Sequence, residues 1–285
     1  MVKKILICVD GSKYGESCCR YGSWLAKRLK MGAEGLYVSS LLEYELSGIT
    51  DLGGGYGLQP YHVLIENIQK VEETKGKAIG KRITKVMQDE GFLGANYEFK
   101  QRTGQLVDVI VEEEVNAELV VLGKRGKGMN LAKSHLGASM ERVVRASKKP
   151  CFIASKDYRN IKRVLIAYDG GGSCVKAMDY LNKSGLLNDL DVYIVTAAEK
   201  EGDVEMAKKY LEQGTIVAKA GGHRLVRSEL LRGIVEDEIS EYIKKESIDL
   251  LIMGAYGHSR IRELIIGSTT TAMLQRCEVP ALLFR

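Results

Sequence analysis

Apolar and polar positions along this chain follow two alternating rhythms. Short unbroken apolar runs such as Ile5–Val9 have the pattern of parallel strands covered on both faces. Between them, apolar residues recur at helical spacing, as Tyr21, Leu25 and Leu29 do on one helical face. The first half therefore reads as strand 5–9, then a helix that Ser12 can cap and that carries Glu16 in its first turn. Strand Leu36–Val38, a long charged helix over 63–90 and strand Tyr97–Lys100 come next. Val107, Ile110, Val111 and Val115 mark another helix, followed by strand Leu119–Leu122, a helix near 138–147 and strand Cys151–Ala154. The second half reads as strand 163–168, helix 173–184, strand 192–196, helix 203–213 and strand 216–219. It closes with helix 228–246, strand 249–253, helix 268–277 and strand 281–284. Strand–helix alternation of this kind predicts parallel sheets with right-handed crossovers.

The two halves repeat each other. KKILICVDGS near the start returns as KRVLIAYDGGGS, LVVLGKRG returns as LLIMGAYG, and PCFIA returns as PALLF, all in the same order. The chain thus reads as two tandem α/β domains, 1–156 and 161–285, with a short linker around Ser155–Asn160. The first half is the longer. Part of its surplus is an insertion at Ser47–His62 that contains Gly53-Gly54-Gly55-Tyr56-Gly57 and reads as a plain flexible insertion, with a mobile lid or partner-binding loop as the alternative. The final strands Cys151–Ala154 and Ala281–Phe284 are short and apolar, and edge strands of this kind seek a partner.

Composition narrows the class. The length of 285 residues suits two domains, and 45% hydrophobic with 28% charged residues excludes a disordered chain. Lys plus Arg is 42 against 37 for Asp plus Glu, an excess too small and too scattered to mark a nucleic-acid binder. No apolar run approaches the length needed to span a bilayer, and the five-residue run after Lys4 ends at Asp10-Gly11, too early for a signal peptide. None of the six cysteines forms a CxxC pair, so reduced thiols in a cytoplasmic protein are expected, with Cys18 and Cys19 split between core and surface. The four histidines have no metal-site spacing. Glu112-Glu113-Glu114 reads as a solvated helix face.

The chemistry lies in the second half. Strand Leu250–Met253 runs into Gly254-Ala255-Tyr256-Gly257-His258-Ser259-Arg260, and Gly267-Ser268 follows, giving G-x2-G-x9-G-S before a helix. Glycines let backbone approach an anion, and the N–H groups and dipole of a helix N-terminus favour negative charge. Ser268, Thr269 and Thr270 would add hydroxyl donors. Asp169 lies just past the half's first strand, where open α/β sheets bind ligands. The first half departs from the pattern. Gly123-Lys124-Arg125-Gly126 is followed by ten residues before Gly137, and Ala138 replaces the hydroxyl residue. Lys124, Arg125, Lys127 and Lys133 make that loop basic, which fits a degenerate site, an anion held in another way, or a solvated face.

The duplicated VDGS and YDGGGS starts, the G-x2-G-x9-G-S loop and the closing VPALLF strand resemble the universal stress protein family in its tandem form. That resemblance implies two open five-stranded parallel-sheet α/β domains, Rossmann-like, paired through their last strands about a pseudo-two-fold axis within one chain. A further homodimer is compatible with it. It implies an adenine-nucleotide-binding, stress-related regulatory protein that takes ATP, with or without Mg2+, in the 161–285 half. Asp169 would hold the adenosine side, with backbone from Ala167 and Tyr168 nearby and Ala197 offering backbone to the adenine. Met253 and Gly254 would border the ribose and phosphates. Gly257 and His258 would line the phosphate loop, and Gly267, Ser268 and Thr269 would bind phosphate oxygens. Arg260 and Arg262 are nearby cations.

Two other readings stay open on the sequence. A slow ATPase or phosphotransferase would need a general base and a metal ligand; Asp169 and His258 are the only obvious candidates, and neither is convincing. A nucleotide-free interaction scaffold would use the same fold. No P-loop, completed G-x-G-x-x-G or G-x-S-x-G elbow is present. The protein partner and the stress signal are not written in the sequence.

Overall fold

The computed structural model describes residues 3–39, 59–92, 94–126, 137–255 and 267–285, with backbone alone over 59–65. The insertion at Ser47–His62 therefore lies outside the described residues up to 58, and from Gln59 its backbone is helical.

In chain order the first half contains β1 (Lys4–Cys8), α1 (Lys13–Leu29), β2 (Gly32–Ser39), α2 (Gln59–Asp89), β3 (Tyr97–Thr103), α3 (Leu106–Glu113), β4 (Ala117–Gly123), α4 (Ala138–Ala146) and β5 (Cys151–Ala154). The second half contains β6 (Arg163–Ala167), α5 (Gly172–Ser184), β7 (Asp191–Ala198), α6 (Val204–Ala220), β8 (Arg224–Arg232), α7 (Val235–Lys245), β9 (Leu250–Gly254), α8 (Ser268–Arg276) and β10 (Ala281–Phe284). One prediction fails here. The run Ile216–Lys219 is the end of α6 and not a strand, and the last strand before α7 is β8, in part of what reads as helix 228–246. The physical reason is location. Strand β8 is a sheet edge with most of its residues exposed or half-exposed, so it carries charge where a core strand would carry an apolar run.

The strands form one ten-stranded sheet in the order β3-β2-β1-β4-β5-β10-β9-β6-β7-β8. Pairing is parallel within each half and antiparallel only at the β5–β10 junction. There Leu282 faces Phe152, Ala281 faces Ile153 and Leu283 faces Cys151. Phe152 and Leu282 occupy the same place in the two repeats, two residues after Pro150 and Pro280, so the junction is self-complementary about a pseudo-two-fold axis.

Strand alternation divides the interior into two layers that each cross the junction. Ile5, Ile7, Val121, Phe152, Leu282, Ile252, Val164 and Ile166 pack with α1, α2, α5 and α6. Leu6, Val120, Ile153, Leu283, Leu251 and Leu165 pack with α3, α4, α7 and α8. Both Cys18 and Cys19 are fully buried on α1, so neither is a surface thiol. All six cysteines are free, and burial pushes the Cys8, Cys18, Cys19, Cys151, Cys174 and Cys277 thiols up. Among the described residues no helix is long and apolar enough to cross a membrane.

Polar contacts reinforce the seam. The Ser17 hydroxyl donates to the Ser155 carbonyl at 2.7 Å, and the Arg159 N–H donates to the Tyr21 phenol at 3.1 Å, holding the linker on α1. Arg28 of α1 donates to the Leu186 carbonyl of the other half at 2.6 Å. Each half also supplies a cation to the C-terminal end of the other's last helix. Lys124 Nζ donates to the Cys277 carbonyl at 2.6 Å, and Arg285 donates to the Arg145 carbonyl at 3.0 Å. The acidic run is a solvated face only at Glu112. Glu113 pairs with Lys100 and Arg102, while buried Glu114 accepts from the Ser147 hydroxyl and the Lys148 N–H.

Burial pulls the Lys124 ammonium down to about 8 from its ordinary 10.5. Between those values the unfolded chain holds a proton that the folded chain has lost, so this group's contribution to stability rises with pH. Between about pH 7.5 and about pH 9.5 the native protein should gain about 2 kcal/mol relative to Lys124→Met, read from paired denaturant titrations. Parallel pH dependences of the two proteins would contradict the buried placement of this lysine.

Candidate functional site

A cavity of about 650 Å³ opens at the carboxyl ends of β6, β7 and β9. Helices α5 and α6 cover one face of this half-sheet and α7 and α8 the other. Strands β6 and β9 are therefore the neighbours at which the winding reverses, and the crevice beyond that point is where open α/β sheets take ligands.

The end of β6 builds the first wall. Tyr168 is buried in the core, so it gives the cavity its main chain; its carbonyl accepts from the Thr196 hydroxyl at 2.7 Å. Asp169 Oδ1 accepts from the Gly171 N–H at 2.8 Å, which fixes the turn into α5. Gly170 has φ +72°, and a Cβ there would lie 2.3 Å from the ring of Tyr210 on α6. Cys174 also lines the cavity, its Sγ 3.5 Å from the Ala167 carbonyl, and burial pushes its thiol up to about 12, so it stays protonated at neutral pH.

The second wall is the start of α8. Gly267 is its N-cap residue, with no side-chain cap, and the first helical bond runs from the Thr271 N–H to the Gly267 carbonyl. The N–H groups of Ser268, Thr269 and Thr270 thus have no acceptor within the helix, and all three residues line the cavity. Thr270 differs from its sequence reading. Its hydroxyl donates to the Gly254 and Ala255 carbonyls at 3.3 and 3.4 Å, so it anchors the helix to β9, while Ser268 and Thr269 line the cavity. Gly254 lets α5 come close: a Cβ there would be 3.0 Å from Ser173 Cβ.

The structure brings Ala167, Tyr168, Asp169, Ala197, Met253, Gly254, Gly267, Ser268 and Thr269 around this one cavity. Gly257 and His258, with Arg260 and Arg262, lie outside the described residues. Sequence reasoning missed the α6 and α7 walls. Asp203, Met206, Ala207 and Tyr210 fall at i, i+3, i+4 and i+7, one helical face, and Val235 and Ile239 close the other side. The helical spacing was legible, but an amphipathic helix does not announce which part of its face lines a ligand space. Glu199 completes the lining, so Asp169, Glu199 and Asp203 give the described wall three carboxylates and no Lys or Arg.

The corresponding space in the first half is about 250 Å³. Asp10 Oδ1 accepts from the Ser12 N–H at 3.0 Å, repeating the Asp169 turn. Ser12 sits at the N-cap of α1, but its hydroxyl makes no cap bond. Tyr14 stands where the second half has Ser173, with its Cβ 2.9 Å from a Cβ built on Gly123. The basic loop is thinner than its sequence suggests, because Lys124 turns across the seam to Cys277 while Arg125 lines the space. Lys127 and Lys133 lie outside the described residues.

Comparison with known proteins follows the same division. The sequence matches the Universal stress protein family over residues 1–155 and again over 160–285. It is 36% identical over 291 aligned residues to Universal stress protein Slr1230 of Synechocystis sp., covering 100% of each chain. A solved universal stress protein from Archaeoglobus fulgidus superposes with a TM-score of 0.69 at 19% identity, covering 99% of this chain and 96% of that one. A putative universal stress protein from Pseudomonas aeruginosa gives 0.65 at 14% identity, covering 99% and 93%.

Replacing Gly170 by Ala should destabilise the protein by about 1–3 kcal/mol, since φ is positive and the new methyl meets the Tyr210 ring. Thermal denaturation of G170A reads this, and an unchanged midpoint would contradict the packing described.

Proposed function

The chain belongs to the universal stress protein family, and from that premise we propose that it is an adenine-nucleotide-binding regulatory protein of the stress response, with ATP held in the second half. The observation that carries the reading is the junction of the α8 N-terminus with the β6 turn across one crevice. The first N–H groups of α8, which have no acceptor within the helix, and the Ser268 and Thr269 hydroxyls suit a polyphosphate. The backbone of Thr196 and Ala197 and the apolar faces of α6 and α7 suit a planar base. The size of the cavity suits a nucleotide rather than a bare anion.

The division into a 1–156 unit with a degenerate loop and a 161–285 unit with an intact one is part of the proposal. The smaller first-half space, Ala138 at the head of α4 and the diverted Lys124 all favour one nucleotide per chain. Among the described residues no group of three His, Cys, Asp or Glu side chains is placed to hold a metal ion. A Mg2+ arriving with ATP would take its ligands mainly from phosphate and water oxygens. The nucleotide would act as a switch or a stabiliser, ordering the α8 end of the sheet and so altering a surface read by a protein partner. Free, buried thiols fit a reducing, cytoplasmic setting.

Small molecules released from freshly purified, denatured protein are the first test. Mass spectrometry should find near one equivalent of adenine nucleotide per chain. Two equivalents would overturn the assignment of the first half, and none, with no binding of added ATP, would overturn the reading altogether. In the Ser268→Ala, Thr269→Val double variant, ATP affinity should fall about tenfold or more while the thermal midpoint holds, because only donors to the ligand are lost. Unchanged affinity by calorimetry would remove α8 from the site.

A further inference from the structure

The two halves carry the same turn, and what rests on that turn differs. Gly11 and Gly170 both have positive φ, +75° and +72°, after the equivalent residues Asp10 and Asp169. Each is covered by the helix that follows the second strand of its half. In the first half the covering residue is Ile79, whose side-chain carbons lie 2.9 and 3.0 Å from a Cβ built on Gly11. In the second it is Tyr210, whose ring carbons lie 2.3, 2.4 and 2.8 Å from a Cβ built on Gly170. Ile79 is 8% exposed and does not line the first-half space of about 250 Å³, whereas half-buried Tyr210 lines the large cavity beside Asp169.

The residues one turn earlier differ in the same sense. Four before Tyr210 is Met206, and four before Ile79 is Lys75. Met206 is 51% exposed and lines the cavity. Lys75 is tied to Glu72 at 2.7 Å, and Glu72 accepts from the Tyr37 phenol at 2.8 Å. Helix α2 thus meets the sheet end with a satisfied ionic knot, while α6 presents an aromatic ring and a thioether to an open crevice.

We propose that Tyr210, flanked by Met206, is the surface on which the nucleotide base packs, and that this α6 face, as much as the phosphate-end motif, decides which half of the chain takes a nucleotide. An aromatic ring next to the Asp169 turn offers a π face to a purine, and the methionine sulfur offers a polarizable neighbour. Every base has a π face, so this wall selects for a nucleobase over a base-free polyphosphate, and hydrogen bonds from the β7 backbone would then select among bases. The inference rests on the nucleotide reading given above.

The test uses the full chain, with ATP and inorganic tripolyphosphate as paired probes in calorimetry. A fluorescent etheno-adenine nucleotide, whose emission falls on stacking, reports the contact itself. Tyr210→Ile, which installs the first-half residue, should weaken ATP about tenfold to a hundredfold and abolish the quenching, with tripolyphosphate affinity unchanged. Tyr210→Phe should keep both ATP affinity and quenching, since the ring is retained. Met206→Lys should weaken ATP less than Tyr210→Ile and leave the folded core alone, because its side chain is exposed. Equal ATP affinity in native protein and Tyr210→Ile would overturn the proposal while leaving the nucleotide site standing. Equal loss of ATP and tripolyphosphate would also overturn it, by showing that the ring only holds the cavity open. Failure of the native protein to bind ATP would remove the site and this inference together.

Discussion

The antiparallel pairing of β5 with β10 is the contact on which the rest of the molecule depends. Each strand alone is a four-residue apolar edge, a surface that water solvates poorly and that other chains could join. Placed against each other, with Phe152 opposite Leu282, they turn two edges into the middle of one sheet. Alternate residues of both strands then enter the two interior layers, and each layer runs unbroken from one repeat into the other. A duplicated sequence makes this pairing available at no cost in design, because an isologous contact needs the same patch twice. The linker is short and held to α1, so the partner strand is always at hand.

Once the halves are joined, they need not stay alike. Lys124 belongs by sequence to the first-half loop, yet its ammonium serves the end of α8 across the seam. A residue of one half's loop thus satisfies a carbonyl in the other half. Tyr14 for Ser173, Ala138 for Ser268 and Ile79 for Tyr210 point the same way. The second half has the larger opening, about 650 Å³ against about 250 Å³. Duplication supplies the frame, and divergence at a few turn and helix positions sets where a ligand has room.

Local pattern fixes much of this protein. Nearly every strand that is buried on both faces was visible as an apolar run, down to the ends of β5 and β10, because burial on two faces demands unbroken hydrophobicity. The same logic failed for β8, whose place at the sheet edge lets it read RLVRSELLR, and it mistook the apolar end of α6 for the missing strand. Asp169 in the turn after β6 and Gly267-Ser268-Thr269 at the head of α8 were legible because a tight turn and a helix start restrict residue type.

Tertiary structure decided what local pattern cannot encode. That Glu114 is buried and bonded, that Cys18 and Cys19 are both internal, and that Thr270 bonds backbone all depend on what packs above them. The cavity-lining face of α6 is the clearest case. Its amphipathic period was in the sequence, but the period says only which face turns inward. That face meets a packed core at Ile79 and an open crevice at Tyr210, and the period is the same in both cases. The sequence by itself thus determined two repeated α/β units, most of their strands and the Asp169 turn into α5, through short-range chemistry. The joined sheet, the unequal cavities and the residues that line them were decided only by the fold, since they depend on distances between segments far apart in the chain.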